Sequence, residues 1–280
     1  MRIALGVFLS VAASALSVTA ADSVLPHSEE IYQGWLKMYN LKFDDAHRIF
    51  DQWQQSHPSD SLGSASDAAA YLFAELARLG ALESELFVDN ARFKSRSKLL
   101  PDPQVKSHFT QQIGQADRLA DEALQKSGRD ANALFVKCLI FGLRADYAGL
   151  VEKRNFTALI CTRGGRPYAD KLLSVDPSAF DANLGPGIEN YLLSLKPAPL
   201  RFLLRLTGSE VDREKGIAQL QMTALHGYYF EPFAKLLLAV AALRDNNREQ
   251  ARVLLNGLHD RFPDNELFSR ELQRLTSGGQ

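Results

Sequence analysis

The chain has 280 residues, 46% of them hydrophobic and 23% charged, the balance of an ordinary folded domain rather than a disordered or fibrous one. A formal charge of −1 and a pI near 6.6 exclude a global pull toward nucleic acid or an anionic membrane surface. Two cysteines without flanking histidines cannot make a structural zinc site, and no metal or other cofactor is expected.

The first segment in chain order is "MRIALGVFLSVAASALSVTAADS". Arg2 precedes an apolar run from Ile3 to Leu16, and the small residues Ser17 to Ala21 follow, the order of a cleavable secretory signal. The run is shorter than the roughly 20 residues of a membrane-spanning helix, so no stable span is expected after cleavage behind Ala20 or Ala21. No cysteine stands near that point to accept a lipid. The expectation is a signal peptide over 1–21, a single domain over 22–280, and a periplasmic or secreted location. Loss of Arg2 takes the formal charge from −1 to −2.

From Pro26 onward the apolar spacing is helical, and no run alternates with period two. Helices are expected over 29–40, 43–57, 65–80, 107–127, 131–145, 147–161, 166–175, 179–195, 211–226, 231–244, 247–260 and 265–275. Lengths of about 10 to 20 residues with short polar turns favour antiparallel pairs. "HPSD", "VDPSA" and "FPDNE" each put a proline just past a helix end and a capping Ser, Asp or Asn before the next helix. Cys138 lies in "ALFVKCLIFGL" and Cys161 in "FTALICTRGG". An oxidising compartment permits a bridge. Two antiparallel helices turning near Asp146 would instead set Cys138 opposite residues 153 to 156, about 8 to 10 Å from Cys161 and beyond disulfide reach.

One spacing recurs. Ala251 precedes Leu255 by four, Leu258 by seven and Pro263 by twelve, and Ala46, Phe50, Trp53 and Pro58 repeat it. Gly165, Ala169, Leu172 and Pro177 give a third copy, and Ala116, Ala120, Ala123 and Gly128 a weaker fourth. Offsets of three and four share a helix face, the small residue admits a neighbouring helix, and proline ends the helix because it cannot donate the next backbone bond.

This pattern resembles the second helix of the tetratricopeptide repeat, a 34-residue helix–turn–helix unit. It is clearest in "KFDDAHRIFDQWQQSHPSD" and "NNREQARVLLNGLHDRFPDN", about a quarter of the chain. Pro58 to Pro177 spans 119 residues and Pro177 to Pro263 spans 86, and neither is a multiple of 34. The remainders of 17 and 18 are each one helix plus a turn, so extra helices interrupt the array. Residues 195–211 are the evident insertion, and 94–104 a loop of an earlier one. The resemblance implies an all-α fold, a right-handed superhelix of antiparallel helix pairs (a TPR-like α-solenoid) that is irregular and carries inserted helices. It also implies stacking of each pair on its neighbours and a terminal shielding helix, for which "NELFSRELQRLTSGG" has the amphipathic pattern.

The sequence nominates little chemistry. No zinc-protease, nucleophile-elbow, P-loop or dinucleotide motif is present. His47 with Asp51, and Asp44 with Arg48, read as solvated helix pairs. "CTRGGRPY" reads as a helix end and turn, with Pro167 opening the next helix; Arg163 and Arg166 beside its two glycines make it also a candidate anion cradle. Gly185, Pro186 and Gly187 fit a helix start that admits a close neighbour. The sequon at Asn155 falls in an expected helix. The family resemblance places Phe233, Leu236, Leu237 and Val240, and Ser28, Ile31, Tyr32, Trp35, Met38 and Tyr39, on a concave groove, without the cations of a peptide-carboxylate clamp. Trp35 and Tyr39 are the expected exposed aromatic anchors.

The functional expectation is therefore a non-enzymatic, exported scaffold for a protein or peptide partner. The alternative is a periplasmic small-ligand-binding accessory protein of a transporter, a layout similar to helical accessories of organic-acid transporters. A deep pocket on which polar groups converge would favour the alternative; a filled interior and a broad apolar patch would favour the scaffold.

Overall fold

The computed structural model describes residues 25–81, 100–197 and 211–277. The expected signal segment, most of the 94–104 loop and most of the 195–211 insertion lie outside the described residues. Within them the chain is all-α, with eleven α-helices and no strand. They are α1 (Glu29–Tyr39), α2 (Phe43–Ser56), α3 (Ser61–Arg78), α4 (Pro103–Lys126), α5 (Ala131–Asp146) and α6 (Asn155–Val175). After them come α7 (Leu184–Ser194), α8 (Arg213–His226), α9 (Glu231–Arg244), α10 (Arg248–Arg261) and α11 (Glu266–Ser277). A π-helical turn, Tyr147–Val151, follows α5, and a 3-10 turn, Phe180–Asn183, precedes α7. None of the described helices is long and apolar enough to cross a membrane.

Local chemistry sets the boundaries. Ser28, Asp60, Asp102, Asp130, Asp212 and Asn247 each accept a backbone N–H of the first turn they cap, and Pro103 occupies the first position of α4, where its missing N–H costs nothing.

Two kinds of helix end alternate along the chain. The ends of α1, α3 and α9 close through left-handed residues, Leu41, Gly80 and Asn246 (φ 60°, 62° and 56°). There Lys42 N–H bonds Lys37 O, Ala81 N–H bonds Leu76 O and Asn247 N–H bonds Ala242 O, at 2.7–2.9 Å. The ends of α2, α4, α6 and α10 share a different turn. The capping residue bonds back four positions (His57 to Trp53, Ser127 to Ala123, Asp176 to Leu172, Phe262 to Leu258), and its own carbonyl accepts the N–H three residues on. These turns fall at Pro58, Gly128, Pro177 and Pro263, the four points where the sequence pattern stops a helix. The α5 end is a widened version of the first kind: Lys153 is left-handed, and Arg154 N–H reaches Ala148 O at 2.7 Å across the π turn.

The alternation defines hairpins α1/α2, α3/α4, α5/α6 and α9/α10, each packed on its sequence neighbours, with α1 also on α3 and α3 on α5. The small positions lie in these contacts: Ala46, Ala116, Ala120, Ala169 and Ala251 are buried. A side chain at Gly34 would have its Cβ 2.3 Å from the Phe50 ring, which shows how closely α1 approaches α2.

The chain also closes on itself. Ser28 N–H donates to the Tyr229 hydroxyl and the Tyr39 hydroxyl to Tyr229 O, both at 2.9 Å. Asn265 reaches Tyr39 O at 2.8 Å, and Asp264 N–H reaches Asn40 at 3.0 Å. The first hairpin thus meets the segments flanking the last one, and Trp35, Tyr229, Phe230 and Phe262 are buried along that seam.

Four expectations are corrected. The span 147–175 is not two helices split at "CTRGGRPY"; α6 runs unbroken through it with Pro167 inside. Neither a turn nor an anion cradle exists there. The glycines serve packing: a Cβ at Gly164 would lie 2.4 Å from the Phe141 ring, and one at Gly165 3.0 Å from Phe141 Cβ. Exposed Pro167 loses a single backbone bond on the outer face, which the contact with α5 outweighs. Second, the π turn and the left-handed Lys153 consume residues 147–154, so Cys138 lies across from Gly165 rather than 153–156; both cysteines are free thiols. Third, His47 pairs with Asp67 of α3 (Nδ1 to Oδ1, 2.5 Å) and not with Asp51, while Arg48 pairs with Asp45 and not Asp44. Fourth, Trp35 and Tyr39 are not exposed anchors: they are 2% and 7% exposed, because the closing seam covers the face of α1 that an open array would leave in the groove.

A candidate ligand pocket between the hairpins

A pocket with a volume of about 100 Å³ lies between α1, α3, α5, α6, the Phe180–Asn183 turn, α7 and α9. An engineered apolar cavity of about 150 Å³ admits benzene, so this volume suits a small organic molecule. One wall is aromatic, with Trp35 and Tyr39 from α1, Phe73 from α3, and Phe230 and Phe233 at the start of α9. The rings brace one another: Trp35 meets Phe230 edge-on at 5.2 Å between centroids, and Phe73 meets Phe233 likewise at 5.6 Å. The opposite wall is Leu139, Gly142, Leu143 and Asp146 of α5 with Gly165, Arg166 and Ala169 of α6, and Gly185, Pro186 and Glu189 of α7 complete the lining.

Two lining glycines behave unlike the packing glycines. Cβ atoms placed on Gly142 and Gly185 would find no heavy atom within 4 Å. Glycine inside a helix costs about 1 kcal/mol relative to alanine, and at Gly142 that cost returns no closer helix contact. What it leaves is room.

Each lining charge has a distinct setting. Asp181 is 3% exposed and accepts three backbone N–H groups, from Tyr228 and Tyr229 at 2.9 Å and Phe230 at 3.0 Å. Burial pushes its carboxyl up to about 6, and the three N–H donors oppose that rise. It anchors the chain entering α9 and ties Gly227 into place, where a Cβ would lie 2.5 Å from Asp181 Oδ1. Glu189, 5% exposed, faces Arg166 at 3.6 Å, and Arg166 also reaches Asp170 at 3.2 Å. Asp146 differs from both: among the described residues no hydrogen bond or ion pair involves its carboxyl, and burial pushes it up to about 7. Its side chain is deep in the protein yet partly accessible, because the surface it retains faces the pocket. Cys138, also on the lining, is pushed by burial up to about 12 and stays a protonated thiol.

Of the four residues singled out in the sequence, Trp35, Tyr39 and Arg166 line this pocket and Arg163 does not. Arg163 lies half-buried elsewhere on α6. Asp146 and Gly142 escaped sequence reasoning. The available signal was an isolated glycine in the apolar helix "ALFVKCLIFGLRAD", followed four residues later by an acid on the same face.

No protein-family model matches the chain, and comparison with curated proteins finds no match.

Proposed function

We propose that this chain is an exported, non-catalytic protein that binds a small ligand in the pocket between α1, α5, α6, α7 and α9. The observation that carries this reading is Gly142, inside α5 on the pocket lining, which opens onto space that no side chain fills, with the exposed Gly185 also on the lining. A rigid aromatic wall with a few polar groups converging on it is the usual composition of a small-molecule site. The signal-like N-terminus supports export to a bacterial periplasm or beyond the cell. We further propose that the hairpins are degenerate members of the tetratricopeptide superfamily, wound as a tight right-handed superhelix whose first and last units meet. The two alternating turn types and the buried small positions support that assignment.

Native mass spectrometry of protein recovered from its own compartment tests the binding role. Wild type should retain a small molecule that Gly142→Leu and Gly185→Leu both lose while keeping the wild-type circular dichroism. Wild-type protein free of any adduct, or adducts equally retained by both variants, would contradict it.

A second reading, an interaction scaffold for a protein or peptide, draws on Phe156 and Ile160, which are 76% and 56% exposed and four apart on α6. Affinity capture that depends on this pair and not on Gly142 would favour it.

A further inference from the structure

We propose that the pocket selects a small organic cation, an amine with a short apolar body, whose ammonium group pairs with Asp146 while its body lies against the rings of Trp35, Phe230 and Phe233. This rests on the small-ligand reading and specifies its chemistry.

The other charges on the lining already have partners. Asp181 is spent on three backbone N–H groups. Glu189 and Arg166 face each other, and Arg166 is shared with Asp170. Asp146 is left as the lining carboxyl to which no described residue supplies a cation or a donor. An ionised carboxylate in such a place is costly unless a positive group joins it, and a ligand ammonium supplies one. The aromatic wall favours the same sign. Ring faces carry negative quadrupole charge and attract a cation within about 6 Å of the centroid, most strongly when water is excluded. An anionic ligand would meet Asp146 and Glu189 together, and its one attractive group, Arg166, already serves two carboxylates. A neutral ligand would gain from the apolar wall but would leave the Asp146 carboxylate without a counter-charge.

Butylammonium, 1-butanol and butyrate share a chain length and differ in charge, so ligand-observed NMR titration with the three isolates the sign preference. Butylammonium should bind at least about tenfold more tightly than 1-butanol, with butyrate the weakest. Asp146→Asn should remove the preference for butylammonium, bringing its affinity to within about threefold of that of 1-butanol. Asparagine is close to the carboxyl in shape and removes a desolvated charge, so the variant is expected to fold, and its melting curve verifies this. Butylammonium preference that survives in Asp146→Asn, or butyrate binding most tightly, would overturn the cation assignment while Gly142→Leu still abolishes binding, and the small-ligand reading would then stand. Binding of all three probes untouched by Gly142→Leu, or no binding at all, would overturn both.

Discussion

Two aspartates look into the pocket from different walls. Asp181, on the wall built by the turn before α7 and the start of α9, is enclosed by backbone donors: three consecutive N–H groups point at it, and Gly227 leaves it just enough space. Asp146, at the C-terminal end of α5, is also pushed upward by desolvation, though it is less enclosed, and has no such answer. The walls differ in packing as well. Around Asp181 the rings of Tyr229 and Phe230 are buried against Trp35 and Phe135, whereas Gly142, one turn before Asp146 on α5, borders empty space. One wall is finished by the protein itself. The other is arranged as if something from outside completes it, at a cost in stability of the kind binding sites commonly carry.

The largest effect is expected on the finished wall. Asp181→Ala would strand three backbone donors, and at about 1–3 kcal/mol for each buried group left unsatisfied the loss should reach roughly 3–5 kcal/mol in urea denaturation. Asp181→Asn keeps one acceptor oxygen and should recover much of that. Near-wild-type stability of the alanine variant would erase the distinction between the walls.

On the open wall the sign reverses. The folded Asp146 carboxyl titrates at about 7, above its ordinary value of 3.8. Between those values the folded protein holds a proton that the unfolded chain has released. Stability should therefore fall as pH rises from about 4 to about 7, and the loss is complete above the folded value. Asp146→Asn is free of this linkage. It should be more stable than wild type at pH 8 by roughly 2–4 kcal/mol and nearly equal to it at about pH 3, where the carboxyl is neutral in both the folded and the unfolded chain. Thermal melts at the two pH values measure the difference, and an equal effect at both would mean the carboxyl is not desolvated.

The smallest effect sharpens the same comparison. Gly142→Ala should stabilise by up to about 1 kcal/mol, since the new methyl meets no atom and alanine favours the helix. Gly227→Ala, beside Asp181, should instead destabilise, because its Cβ would lie 2.5 Å from a carboxylate oxygen. Chemical denaturation of both variants gives the contrast directly.

Much of the framework was legible in the sequence because it rests on local rules. Alanine and glycine at fixed distances before Pro58, Gly128, Pro177 and Pro263 mark helix ends that recur with one hydrogen-bond pattern. The cap residues Asp60 and Asn265 sit where "HPSD" and "FPDNE" put them. What local rules could not reveal was closure. Trp35 and Tyr39 carry the spacing of groove residues, and only the return of Tyr229, Phe230 and Asn265 over two hundred positions later buries them. "CTRGGRPY" misled for a related reason. Its glycines and proline spell a break, yet Phe141 on the facing helix turns both glycines into a contact surface and keeps α6 whole. The pocket was partly visible through Trp35, Tyr39 and Arg166, and its distinctive members, Asp146 and Gly142, look unremarkable until the helices around them are in place.

The most direct test is a crystal structure of the full chain grown with butylammonium. The account predicts density for the probe between the Trp35 and Phe230 rings and Asp146, with the ammonium nitrogen at hydrogen-bond distance from the carboxylate. Side chains collapsed into the space beside Gly142 and Gly185, leaving no room for a ligand, would contradict it.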